Sequence, residues 1–191
     1  PVGTSRAPGI SASLKPTVAA GLAPSAIARL DRQELARLAD EAVRAGTLER
    51  TAATPEQVIA LASGLRGQRL FGELCALGQS EAAQKSQSPT LGCLYAQALI
   101  ESGELAAATP LLRGLVNSSA ELEAKGLLGR IEKQRYVNQM LTEGKGQSSQ
   151  LRKAIDAYLE AYEGNAQKPF WHAINALALL ELGKRKKVRD D

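Results

Sequence analysis

The chain has 191 residues, 44% hydrophobic and 23% charged, enough apolar content to bury the core of one domain or one elongated array. Much of the net charge of +4 sits in Lys184, Arg185, Lys186, Lys187 and Arg189. The remainder is near neutral, so overall charge gives no argument for nucleic-acid binding, and no apolar run is long enough to span a bilayer.

Ala and Leu dominate, which favours helix because both lose little on entering one. Residues 1–23, rich in Pro, Gly, Ser and Ala, read as a linker or extended segment. Its start, "PVGTSRAPGI", has neither Met nor an apolar signal core, and we expect the chain to be a piece of a longer one. Helices follow. In "LDRQELARLADEAVRAG", Asp31 and Glu34 stand at capping-box spacing, Leu35, Leu38, Ala39 and Ala42 keep a helical period, and Gly46 is the expected stop.

Thr54, Pro55 and Gln57 repeat the start signal. "RLFGELCALG" predicts a short helix ended by Gly78. Ser88 and Pro89 open the next helix, which ends at Gly103. The helix after it carries Pro110, expected to kink it or remove a bond. Ser118 and Glu121 are the expected opening of "AELEAKGLLGRIEKQRYVNQML". "TEGKGQSS" reads as a loop, and two helices in 151–184 complete the chain.

Helix pairs in series suggest a repeat. The turn "ALIESGEL" (98–105) aligns with "ALLELGKR" (178–185), so that Ala96 matches Ala176, Leu99 matches Leu179 and Gly103 matches Gly183. Ala108, Leu112 and Leu115 share one face of a second helix, as do Ala154, Tyr158 and Ala161. Gly129 takes the small-residue place in a middle copy, which is followed by about a dozen extra residues, "VNQMLTEGKGQSS".

On these residues the chain resembles the tetratricopeptide repeat, a helix–turn–helix unit of about 34 residues. Residues 89–183 further resemble the tetratricopeptide region called the TRAFs-binding domain, known from apoptosis-signal-regulating kinases and bacterial multidomain proteins. The resemblance implies an all-α solenoid of helical hairpins over 24–191, with an inserted loop near 137–149 and a truncated last repeat. Residues 24–80 fit the pattern only loosely. It implies a protein–protein interaction scaffold or regulatory module within a larger multidomain protein or complex. The alternative is a helical accessory region of an enzyme, such as a protease, whose catalytic domain lies outside this chain.

In the family the first helix of each pair lines a concave surface. By that analogy Gln97, Glu101, Arg130, Lys133, Gln134 and Phe170 are candidate contacts, with Trp171 and His172 beside them. Phe170 and Trp171 are first expected to pack in the core, and to bind a partner only second. His172, the only histidine, has no nucleophile and acid arranged around it and reads as structural or partner-contacting. "GKGQSS" lacks the spacing of a phosphate loop, Glu101 and Glu104 read as a solvated turn, and the terminal bases have no interleaved aromatics. Cys75 and Cys93 form no metal-ligand or disulfide pattern, which suggests a reducing, cytoplasmic setting. The chain alone is expected to catalyse nothing and to hold no cofactor or metal. Its expected partner is a protein or the remainder of its own polypeptide, not a membrane or nucleic acid. The last helix carries more apolar residues than one face can hide, so 170–182 is expected to pack against something outside this sequence.

Overall fold

The computed structural model describes residues 21–45, 53–80, 88–164 and 170–186. Among them there are helices and no strand: α1 (Pro24–Ile27), α2 (Arg32–Ala45), α3 (Pro55–Gly67), α4 (Phe71–Gln79), α5 (Pro89–Glu101), α6 (Leu105–Leu115), α7 (Glu121–Glu143), α8 (Ser148–Glu163) and α9 (Phe170–Arg185). The fold is the expected all-α stack of helical hairpins. Most of 1–23, the Gly46 stop and the terminal bases from Lys187 onward lie outside the described residues.

The start signals act as read. The Asp31 carboxylate accepts from the Glu34 N–H at 2.9 Å. At α3, Thr54 and Gln57 close a full capping box with Pro55 in the first turn. At α5, Ser88 accepts from the Leu91 N–H, again with Pro in the first turn. Ser118 does something else: its hydroxyl donates to Leu115 O at 2.6 Å and accepts from the Ala120 N–H, closing off α6 rather than capping α7. Pro110 lies inside α6 without ending it. It and Ala106, whose carbonyl loses its usual N–H donor, are both exposed, so water can satisfy that group.

The segment 54–80 is a regular repeat, not the loose fit expected of 24–80. Thr54–Pro55 stands 34 positions before Ser88–Pro89. Arg69 (φ 56°) and Gly103 (φ 85°), also 34 apart, both turn the chain in the left-handed region. In each turn the N–H three places past the helix reaches back, Leu70 N to Leu65 O and Glu104 N to Leu99 O, both at 2.8 Å. The match was hidden because Arg fills a position where glycine is the usual signal.

Packing follows nearest-neighbour stacking. One core joins Ile27, Leu35, Leu38, Leu65, Leu74 and Leu91 across α1–α5. A second joins Ala96, Leu99, Ala108, Leu112 and Leu127 across α5–α7. A third joins Tyr136, Ala154, Tyr158, Ala176 and Leu179 across α7–α9. The helix α5 serves two cores at once, sending Leu91, Leu94 and Ala98 backward and Ala96, Leu99 and Ile100 forward.

Three other expectations are corrected. The extra residues near 137–149 are largely helical: α7 runs to Glu143, Gly144 turns at φ 72°, and α8 begins at Ser148. The connection is only 144–147, and Tyr136 is buried against it, its ring where a Gly146 Cβ would go. Gly183 makes no turn. It is buried inside α9 against α8, where a Cβ would lie 3.5 Å from Ile155 Cδ1, an ordinary contact distance. Likewise Gly78 is buried one residue before the end of α4, under the Tyr95 ring.

Candidate functional site

The first helices of successive pairs, α3, α5, α7 and α9, each bring a side chain to one line. Arg66, Gln97, Arg130 and Trp171 meet around a hollow of about 230 Å³, with Glu123 and Leu127. A second hollow of about 330 Å³ shares Arg66, Gln97 and Glu123 and extends to Thr90, Cys93, Leu94, Ser119 and Ala120. The four are not equivalent repeat positions, since Ser63 stands 34 before Gln97; they meet because the stacked first helices converge on this hollow.

Most charge on this face is paired. Arg130 bridges α7 to α5 through Glu101 at 2.6 Å. Lys133 bridges α7 to α9 by donating to Asn175 Oδ1 at 2.7 Å. Its Nζ also lies 5.7 Å from the Tyr158 ring centroid. Burial, and then repulsion from Arg130, hold the Lys133 ammonium below its ordinary pKa. Arg135 joins Glu132 and Thr109. Among the described residues, Arg66 and Glu123 have no ion-pair or hydrogen-bond partner. Glu123 is half-buried, and burial pushes its carboxyl pKa up, with Arg66 near enough to pull it partly back.

Aromatic packing sets the far end of the line. Trp171 meets Tyr158 edge-on, with centroids 5.9 Å apart, and stays 37% exposed at the hollow. His172 stacks against Trp171 at 3.7 Å and is only 1% exposed. Its ring sits on the bare backbone of Gly126, where any Cβ would overlap it. Burial pushes the His172 pKa down, and Nδ1 has no partner. A neutral, enclosed imidazole is a packing element, and at 1% exposure His172 does not offer the partner contact for which it was a candidate.

Of the residues singled out in the sequence, Gln97, Arg130 and Trp171 line the hollow, and Glu101 and Lys133 brace its neighbours. Gln134 is exposed one turn further along α7, bonded to Asn138. Phe170, first expected in the core, is 78% exposed. Its apolar surface continues in Ile174 and Leu177 along α9. Sequence reasoning missed Arg66, Glu123 and Leu127. The 34-residue spacing that relates α3 to α5 leads from Gln97 to Ser63 and from Arg66 to the buried Ile100, so no sequence signal pointed to Arg66.

Other chemistry finds little support among the described residues. No group of three His, Cys, Asp or Glu is placed to hold a metal. No helix is long and apolar enough to cross a membrane. Both cysteines are free thiols, and burial, with the Glu123 charge second, raises the Cys93 pKa to about 12.

Helical hairpins in 34-residue register, with first helices lined up on one face, define a tetratricopeptide-type repeat protein. Residues 73–180 match the family described as Tetratricopeptide Repeats-Sensor, and the chain belongs to that family. No curated protein and no solved structure matches it. Repeats of this type are generally protein-interaction modules and typically non-catalytic.

Proposed function

We propose that the chain is a regulatory interaction module that holds an extended segment of a partner protein along its inner face. The observation that carries this reading is the alignment of Arg66, Gln97, Arg130 and Trp171, one from each of four successive first helices, around adjoining hollows. The family description, a sensor, and the likeness of 89–183 to the TRAFs-binding-domain type both point to recognition coupled to an effector. The partner is another protein or the remainder of the same polypeptide. The inner face carries both charge signs, with Glu123 unpaired among them, which favours a protein segment over a uniformly anionic nucleic acid. The high Cys93 pKa and the buried neutral His172 leave those side chains poor nucleophile and base, in keeping with a chain that catalyses nothing. Two free thiols suit the reducing cytoplasm.

Affinity capture with mass spectrometry tests the reading, using the full chain and a Gln97→Arg variant as baits. Gln97 is half-exposed, so the variant alters the hollow without opening the core. The expected result is a reproducible partner held by the parent and lost by the variant at equal melting temperature. A partner retained equally by both would place recognition elsewhere.

A further inference from the structure

Arg66 and Glu123 stand out because their surroundings are paired and they are not. They carry opposite charges and line the same two hollows, yet no nitrogen–oxygen distance within 4.0 Å joins them. The space between them is thus flanked by an anion on one side and a cation on the other. We propose that this space takes a Lys or Arg side chain of the partner segment against the Glu123 carboxylate, with a neighbouring carboxylate of that segment on Arg66.

The argument rests on the proposed inner-face reading and deepens it. A carboxylate removed from water without a counter-ion is costly, and an incoming cation relieves that cost at the moment of binding. Glu123 shows the strain of its position: it lies in the first turn of α7, where the helix dipole favours an anion, yet its pKa is raised. Trp171 lines the same hollow, and its ring face attracts a cation beside the carboxylate. Arg66 is exposed at the opposite wall, free to grip a carboxylate with two parallel N–H bonds. A purely acidic segment would meet Glu123, and a purely basic one would meet Arg66 and Arg130. The site therefore selects adjacent opposite charges, and such complementarity sets specificity more than affinity.

A random-peptide display library, selected on the full chain and on Glu123→Gln and Arg66→Gln variants, tests this. Glu123→Gln removes an unpaired, desolvated charge and Arg66→Gln an exposed one, so both variants should fold. Melting curves check that. The parent should enrich sequences with Lys or Arg beside Asp or Glu. Glu123→Gln should lose the basic preference, Arg66→Gln the acidic one, each weakening an enriched peptide about 10-fold or more. Enriched peptides that lack the charge pair, or that bind Glu123→Gln as well as the parent yet fail on Gln97→Arg, overturn the proposal and leave inner-face recognition standing. A library that enriches nothing on the parent also overturns it. The affinity capture with Gln97→Arg then decides separately whether the broader reading fails too.

Discussion

The two halves of the stack solve the same packing problem with different materials. From Thr54 to Leu115 the pairs keep a 34-residue register, with first helices of 13 residues each. Small residues at Ala62 and Ala96 and aliphatic ones at Leu65, Leu99 and Leu112 fill the space between them. From Glu121 onward α7 has 23 residues and α8 has 16, and the step from Gly129 to Ala176 is 47, 13 more than the regular one. Close-contact glycines occur in both halves, Gly64, Gly78 and Gly92 in the regular one and Gly126 and Gly129 here, where they face Tyr158, Trp171 and His172 of later helices. A Cβ at Gly129 would come within 3.1 Å of Ala157, and one at Gly126 would overlap His172. The void between these closely set helices is filled by Tyr136, Tyr158, Trp171 and His172. The difference teaches that a repeat absorbs extra residues by lengthening a hairpin outward while small residues hold the contact between helices in place. The aromatic half also supplies the wall of the inner-face hollow, so the departure from regularity is where the surface gains its character.

If the aromatic half is held by a few large side chains, truncating one should cost more there than in the aliphatic half. Tyr158→Ala should lose about 3–5 kcal/mol in denaturant unfolding, above the loss for Leu112→Ala, which falls in a range of about 2–5. Equal losses would erase the distinction. Gly126→Ala sharpens it: the added methyl meets an enclosed His172 ring and should cost about 1–3 kcal/mol by overpacking. Gly114→Ala on α6, where a Cβ meets nothing within 4 Å, should instead gain about 0.5–1 kcal/mol.

A smaller effect separates the two turns of the regular half. Gly103→Ala forces a side chain into φ 85° and should lose roughly 1–2 kcal/mol. Arg69→Gly relieves the same strain at φ 56° and should be neutral or stabilising by up to about 1 kcal/mol, read from thermal melts. The smallest effect is a pH dependence. Burial depresses the His172 pKa in the folded state, so the unfolded state takes the proton first as pH falls through about 6.5. Stability should decline on that acid side, and a His172→Phe variant should not show the decline. Glu121 and Glu123 from α7 share a hollow with His172, and Tyr158 from α8 lies 6.3 Å away. The raised Glu123 pKa acts in the opposite sense, favouring the folded state as that carboxyl protonates at lower pH.

Much of this architecture was legible in the residues. Capping signals at Thr54 and Ser88 placed helix starts, and the matched Ala96 and Ala176 placed the packing faces, because caps and small contact residues act locally. What stayed hidden depended on tertiary context. Arg69 adopts a glycine conformation, so the copy over 54–80 lost its turn signal. Gly183 looked like a turn glycine but lies buried inside α9, facing α8. "VNQMLTEGKGQSS" read as a loop because its polar letters mask a continuing helix whose apolar members, Tyr136 and Met140, pack only once α8 folds back. In the site, Gln97, Arg130 and Trp171 were reachable by analogy with first helices. Glu123 was not, since its distinction is to be half-buried and unpaired, and only the fold determines that.

Hydrogen–deuterium exchange of the full chain, alone and with the partner it captures, tests the central claim most directly. Recognition along the inner face predicts new protection confined to α3, α5, α7 and the start of α9, around Arg66, Gln97, Glu123 and Trp171. Protection centred on α4, α6 and α8, with those first helices unchanged, would contradict it.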